Sequence, residues 1–170
     1  MFRLLFDREL YETVILKEAV KAKRFLWLGT SDIKDLYVNK SGRMVPFLEI
    51  ISDLIKRKVE VRFLYAKEPG PNFRKDYDKY PILAKGMEQM QCPRVHFKTV
   101  IVDGQVAYSG SANLTGAGLG AKSPAKRNFE TGFITNNEEI VDALMQQYDQ
   151  VWMGMKCKTC QRKEFCIENM

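Results

Sequence analysis

His96, the one histidine of this 170-residue chain, is followed two positions later by Lys98. Ser111 and Asn113 come soon after, within the run H-F-K-T-V-I-V-D-G-Q-V-A-Y-S-G-S-A-N over 96–113. On an extended strand, side chains alternate faces, so His96 and Lys98 point one way while Val95, Phe97 and Thr99 point the other. Asp103-Gly104 is a tight-turn signal that brings the chain back alongside itself, and Ser111 and Asn113 again share a face. An imidazole, an ammonium, a hydroxyl and an amide therefore converge on one spot. That set suits a phosphodiester. The imidazole attacks phosphorus, and the ammonium and amide hold the non-bridging oxygens, whose charge grows in the transition state. This chemistry needs no divalent metal, because Lys98 and Asn113 supply the neutralisation.

The pattern His-x-Lys-x4-Asp-x6-Gly-Ser-x-Asn, met by His96, Lys98, Asp103, Gly110, Ser111 and Asn113, resembles the signature of the phospholipase D superfamily. The helix–strand order of most of residues 1–152 is similar to that of its small single-motif members. The resemblance implies a covalent phosphohistidine on His96, phosphate binding by Lys98 and Asn113, and assistance from the Ser111 hydroxyl. It also implies that a downstream Glu, here Glu130, bonds the imidazole and sets its tautomer. Asp103 is assigned to the turn. Two-step transfer needs an acid for the leaving oxygen, and two-motif members use a second histidine. With a single histidine, the expectation is a homodimer that sets His96 of each copy across one site.

The elements that must position these groups follow from the apolar pattern. Asp7 reads as the cap of a first helix carrying Leu10, Val14 and Leu16 to Val20. Arg24 to Gly29 reads as a buried strand, and a helix is expected from Pro46 to about Arg57. Val59 to Ala66 is a further strand, and residues 67–94 form a long excursion rich in proline and glycine. Val95 to Val102, Gln105 to Ser109 and Phe129 to Thr135 read as strands. Asn137 caps a last helix with Ile140, Val141, Leu144, Tyr148, Val151 and Trp152 on one face. This order predicts an α/β fold: a mixed, mostly parallel sheet flanked by helices on both faces, in one domain over 1–152 with a short Cys-rich tail over 153–170.

The chain carries a net charge of +6 at pH 7, which favours a polyanionic partner. Lys122, Lys126 and Arg127, in the loop after Asn113, are candidate substrate contacts. Tyr108 and Phe129 lie near enough in sequence to stack bases, with core packing the expected use of each. Nucleic acid, DNA or RNA, is the expected substrate of an endonuclease. The alternatives are a phospholipid hydrolase or transferase, and a non-catalytic nucleic-acid-binding module. No apolar run approaches the roughly 20 residues of a membrane helix, and no secretory signal is seen, so no membrane association and a cytoplasmic location are expected.

The four cysteines are Cys92, Cys157, Cys160 and Cys166. In a reducing compartment this spacing suggests metal rather than disulfides, and both zinc and a [4Fe–4S] cluster accept four thiolates. One upstream cysteine followed by Cys-x2-Cys-x5-Cys is similar to the iron–sulfur staple of some recombination and CRISPR-associated nucleases. The implied role is structural.

Overall fold

The computed structural model describes residues 1–167; the last three residues of the 153–170 tail lie outside it. Its centre is a seven-stranded sheet in the order β1-β9-β8-β7-β2-β5-β6. The strands are β1 (Phe2–Phe6), β2 (Phe25–Thr30), β5 (Glu60–Tyr65), β6 (Met87–Gln91), β7 (Thr99–Val102), β8 (Val106–Gly110) and β9 (Thr131–Thr135). A separate hairpin pairs β3 (Tyr37–Lys40) with β4 (Arg43–Pro46). It turns through Ser41 and Gly42, both at positive φ (52° and 84°).

The mixed sheet agrees with expectation, but its balance is the reverse. Only β2–β5 and β5–β6 are parallel, while β1–β9, β2–β7, β7–β8 and β8–β9 are antiparallel. The reason is local. The Asp103-Gly104 turn makes β7 and β8 a hairpin, and β9 and β1 extend it as antiparallel neighbours that need no crossover. Residues 2–6 were not expected to form a strand, because only Leu5 among them is buried and no alternation marks the core. Asp7 does not cap the helix that follows with its side chain.

Both faces are covered. Leu26, Leu28, Val61, Phe63, Val100 and Tyr108 pack on one side with Leu10, Val14 and Ile15 and with Ile51 and Leu54. Leu10 belongs to α1 (Arg8–Leu10), which runs on as a π-helical stretch over Tyr11–Glu18, and Ile51 and Leu54 to α2 (Phe47–Lys56). Helix α2 starts after Pro46 and ends before Arg57, close to the predicted span. Trp27, Leu64, Ile101 and Ala107 point to the other side, beneath Val141 and Tyr148 of α5 (Glu138–Trp152). Asn137 caps α5 as predicted, its Oδ1 accepting the Ile140 N–H at 3.1 Å. The 67–94 excursion folds into α3 (Pro71–Tyr77), α4 (Ile82–Gly86) and the edge strand β6. Among the described residues no helix is long and apolar enough to cross a membrane.

Candidate active site

Strand β2 is where the sheet changes sense, parallel to β5 on one side and antiparallel to β7 on the other. Ligands of open α/β sheets bind beyond the carboxyl ends of strands at such a point. The C-terminal ends of β2 and β5 meet the N-terminal approach to β7 here. The ladder to β2 ends at Gly29↔Thr99, so His96 and Lys98 precede the strand that the sequence placed them on, with the Lys98 carbonyl still accepting the Gly110 N–H at 3.2 Å. Beyond the end of that ladder, His96 borders a cleft of about 540 Å³ walled in part by Ser31, Asp32, Lys67 and Asn113.

His96 is exposed to this cleft and Lys98 is buried beneath it at 6% accessibility. The Lys98 ammonium donates to the His96 carbonyl oxygen and stands 3.3 Å from the ring Nδ1. An ammonium only donates, so this contact suits a ring whose Nδ1 is an acceptor. Burial pushes Lys98 below the usual lysine range, and the Glu130 carboxylate opposes that shift.

Asn113 is held by its oxygen. Its Oδ1 faces the hydroxyls of Ser31 at 2.8 Å and Thr30 at 3.2 Å, and accepts the Asp32 N–H at 3.2 Å. With its oxygen so occupied, the amide keeps its NH₂ donors for the cleft that Asn113 helps to wall. Thr30 also accepts the Leu114 N–H at 3.1 Å, locking the two loops together.

Glu130 takes a different place from the one implied. Its carboxylate accepts from the Ser111 hydroxyl and, at 3.0 Å, from Asn128 Nδ2, and among the described residues it makes no bond to His96. Reciprocal bonds anchor its backbone to Asp7: Glu130 N–H to Asp7 Oδ1 at 2.9 Å, and Asp7 N–H to Glu130 O at 3.0 Å. Ser111 is exposed and bridges β9, accepting the Thr131 N–H at 3.1 Å.

The basic loop is not part of the cleft wall. Lys122 and Lys126 are exposed and Arg127 half-buried, in turns beyond Asn113. The cations that do wall the cleft are Lys67 and Arg162, with Phe165 beside them. Lys67 follows the end of β5 and donates its N–H to the Ser31 carbonyl; its place after a parallel strand was the signal that sequence reasoning passed over. Of the two aromatics, Tyr108 is core, whereas Phe129 is 96% exposed, contrary to the packing role expected.

Cys92, Cys157, Cys160 and Cys166 all line one neighbouring cavity of about 240 Å³. It shares Pro93, Val95 and Arg162 with the wall of the His96 cleft. Burial, and the approach of the other three sulfurs, push the Cys92 thiol up.

A family described as "Cardiolipin synthase, PLD-like domain" matches residues 15–152. No curated protein matches the chain. Among solved structures, the chain is similar to Nuc, a phospholipase D family member from Salmonella typhimurium. That likeness has a TM-score of 0.66 at 16% identity, over 89% of this chain and 93% of that one. NucT from Helicobacter pylori gives a TM-score of 0.61 at 14% identity, over 88% and 95% of the two chains. TrmBL2, described as an archaeal chromatin protein with a novel mode of DNA binding, gives 0.57 at 16% identity, over 89% of this chain and 52% of that one.

Proposed function

The chain belongs to the phospholipase D-like family, and we propose that it is a phosphodiesterase that cleaves nucleic acid through a phosphohistidine on His96, two copies together making one working site. The observation that carries this reading is the cleft itself. It is walled by an exposed imidazole, with a buried ammonium 3.3 Å from the ring, and by an amide whose oxygen is tied back by the Ser31 hydroxyl and the Asp32 N–H.

In the first step a ring nitrogen of His96 forms a bond to phosphorus, and the bond to the leaving oxygen breaks. That oxygen takes a proton from His96 of the second copy. Water then attacks the phosphohistidine, the N–P bond breaks, and the water's proton returns to the second imidazole. Lys98 and the Asn113 NH₂ neutralise the non-bridging oxygens in both steps. The second copy gives the leaving oxygen its proton as an imidazolium and is a neutral imidazole until water returns it, so it ends the cycle in the form in which it began. The attacking copy needs a ring nitrogen that carries no proton and faces phosphorus.

Two further observations support the substrate and the dimer. Lys67, Arg162 and Phe165 offer phosphate contacts and a stacking face along the cleft. Phe2, Leu4 and Phe6 of edge strand β1 are each more than half exposed. They lead to the Asp7–Glu130 anchor, with Phe129 exposed next to it. An apolar strip ending at an incomplete site suits a second copy of the chain.

The test is cleavage of single- and double-stranded DNA, RNA and a phospholipid, each with EDTA, by the wild type and His96→Ala. Nucleic-acid cleavage that persists in EDTA and disappears in the variant is expected. Turnover of the phospholipid alone would move the protein to the lipid branch with the same chemistry. Equal cleavage by the variant would refute the mechanism.

A further inference from the structure

Outside the His96 chemistry, the four cysteines remain. They come from two distant stretches: Cys92 at the end of edge strand β6, and Cys157, Cys160 and Cys166 from the chain after α5. The fold nevertheless brings all four to the wall of a single cavity. Local turns aim the trio. The Cys157 N–H bonds Gly154 O at 2.9 Å, the Cys160 N–H bonds Cys157 O at 3.1 Å, and the Arg162 N–H points at Cys160 Sγ at 3.4 Å. Gly154 takes φ +65°, and a β-carbon there would stand 3.3 Å from Cys157 Sγ. Arg94, Lys156 and Arg162 line the same cavity, and their charge offsets that of gathered thiolates.

We propose that Cys92, Cys157, Cys160 and Cys166 hold one thiophilic metal centre, which fixes the tail so that Arg162 and Phe165 wall the catalytic cleft. The donor set is sulfur throughout, the choice of zinc or of an iron–sulfur cluster. Each thiol gives its proton to solvent as it binds. Among the described residues no three ligand-type side chains already stand at the spacing that closes on one ion. A lone zinc, with bonds of about 2.3 Å, must therefore draw the sulfurs inward, whereas a cluster spans the walls with less movement. The consequence for function is mechanical. Arg162 and Phe165 stand between the third and fourth sulfurs, and Arg162 borders both cavities. Release of the metal frees that wall and leaves His96, Lys98 and Asn113 in place.

The experiment is anaerobic purification of the full chain, with zinc, iron and acid-labile sulfide measured on the wild type and on Cys92→Ser and Cys160→Ser. Stoichiometric metal in the wild type and its loss in both variants are expected; iron with sulfide identifies the cluster and zinc the single ion. Because a variant can fail by misfolding, a second measurement uses wild-type protein stripped by a chelator and digested briefly with protease. Cutting after α5, with the 1–152 body intact and weakened nucleic-acid binding, is expected. A wild type that holds no metal, even after incubation with zinc or with iron and sulfide, overturns the proposal. So does full metal retention in Cys92→Ser. Either result leaves the His96 chemistry untouched.

Discussion

Gly29 of β2 lies against the ring of Phe97 so closely that a β-carbon on it would meet Phe97 Cε2 at 2.5 Å. Phe97 sits between the two groups that do the proposed chemistry, with His96 before it and Lys98 after. The absent side chain on β2 thus sets how closely the catalytic segment approaches the sheet. Gly29→Val forces the ring away, and the overpacking costs about 1–3 kcal/mol. The variant is expected to remain folded by circular dichroism while kcat falls more steeply than stability. An unchanged kcat in a destabilised variant would show that the contact is only packing.

Asn113 tests the electrostatic part of the site. Asn113→Asp keeps an oxygen for Ser31, Thr30 and the Asp32 N–H, and so preserves the tie-back. It replaces the NH₂ donors with a second oxygen that repels phosphate. Loss of one such donor costs about 10²–10³ in rate, and a fall of at least that size is expected in kcat/KM with little change in melting temperature. Asn113→Ala should fall between the two.

The candidate motif was legible because its spacing is local: His96, Lys98, Ser111 and Asn113 lie at the same end of a single hairpin. What surrounds it was not. Lys67 joins Thr30 and Ser31 at the site because β2 and β5 are parallel neighbours whose ends meet there, a pairing of residues 35 apart in sequence (Phe25 with Glu60) that no short motif records. Glu130 was found by position but misread in partner, because Ser111 and Asn128 compete for its carboxylate. Strand β1 was missed because an edge strand with one buried side chain carries little periodic signal. The parallel balance was overestimated for a related reason: helix–strand alternation in the first half was extended to a second half built by hairpins.

Lys98 predicts a pH effect. Its protonated form is needed to neutralise phosphate, and burial lowers its pKa from the ordinary lysine value while Glu130 partly restores it. Phosphate affinity is therefore full below the depressed pKa and lost as pH rises through it, earlier than for an exposed lysine. Oligonucleotide binding to His96→Ala, which cannot turn over, should show this alkaline limb. Lys98→Arg stays charged throughout the range, and the limb should vanish, whatever the loss of absolute affinity. Persistence of the limb in the arginine variant would assign it to another group.

Asp103 belongs to the motif but not to the chemistry. Its side chain sits at the far end of the β7–β8 hairpin and accepts the N–H groups of Lys23, Arg24 and Phe25 at 2.7–3.1 Å. It also holds positive φ (56°), which asparagine tolerates better than most residues. Hydrogen bonds to a charged group contribute about 1.5–3 kcal/mol each, and partial exposure puts the joint loss near the lower end. Asp103→Ala is expected to lower the melting temperature by several degrees and to leave kcat unchanged well below it, with Asp103→Asn in between. Loss of kcat in a fully folded alanine variant would return Asp103 to the site.

The dimer is tested where the apolar strip meets the site. Phe129 is almost fully exposed and Phe6 half exposed, so neither contributes much to the core of one copy. Charge introduced there, in Phe6→Glu or Phe129→Glu, should leave the fold and melting temperature of an isolated copy almost unaltered, as surface changes away from special features do. The same change would bury an unpaired carboxylate in an interface between copies, a cost that breaks association. Sedimentation is expected to give a dimer for the wild type and a monomer for each variant, and nuclease activity should fall with dimer content. Mixed dimers separate association from chemistry. Wild type combined with excess His96→Ala pairs each intact histidine with a copy that lacks the acid, so activity per wild-type chain should drop although every molecule stays dimeric. Activity that scales simply with wild-type content would mean that one copy carries out both steps, with water or a carboxylate as the acid.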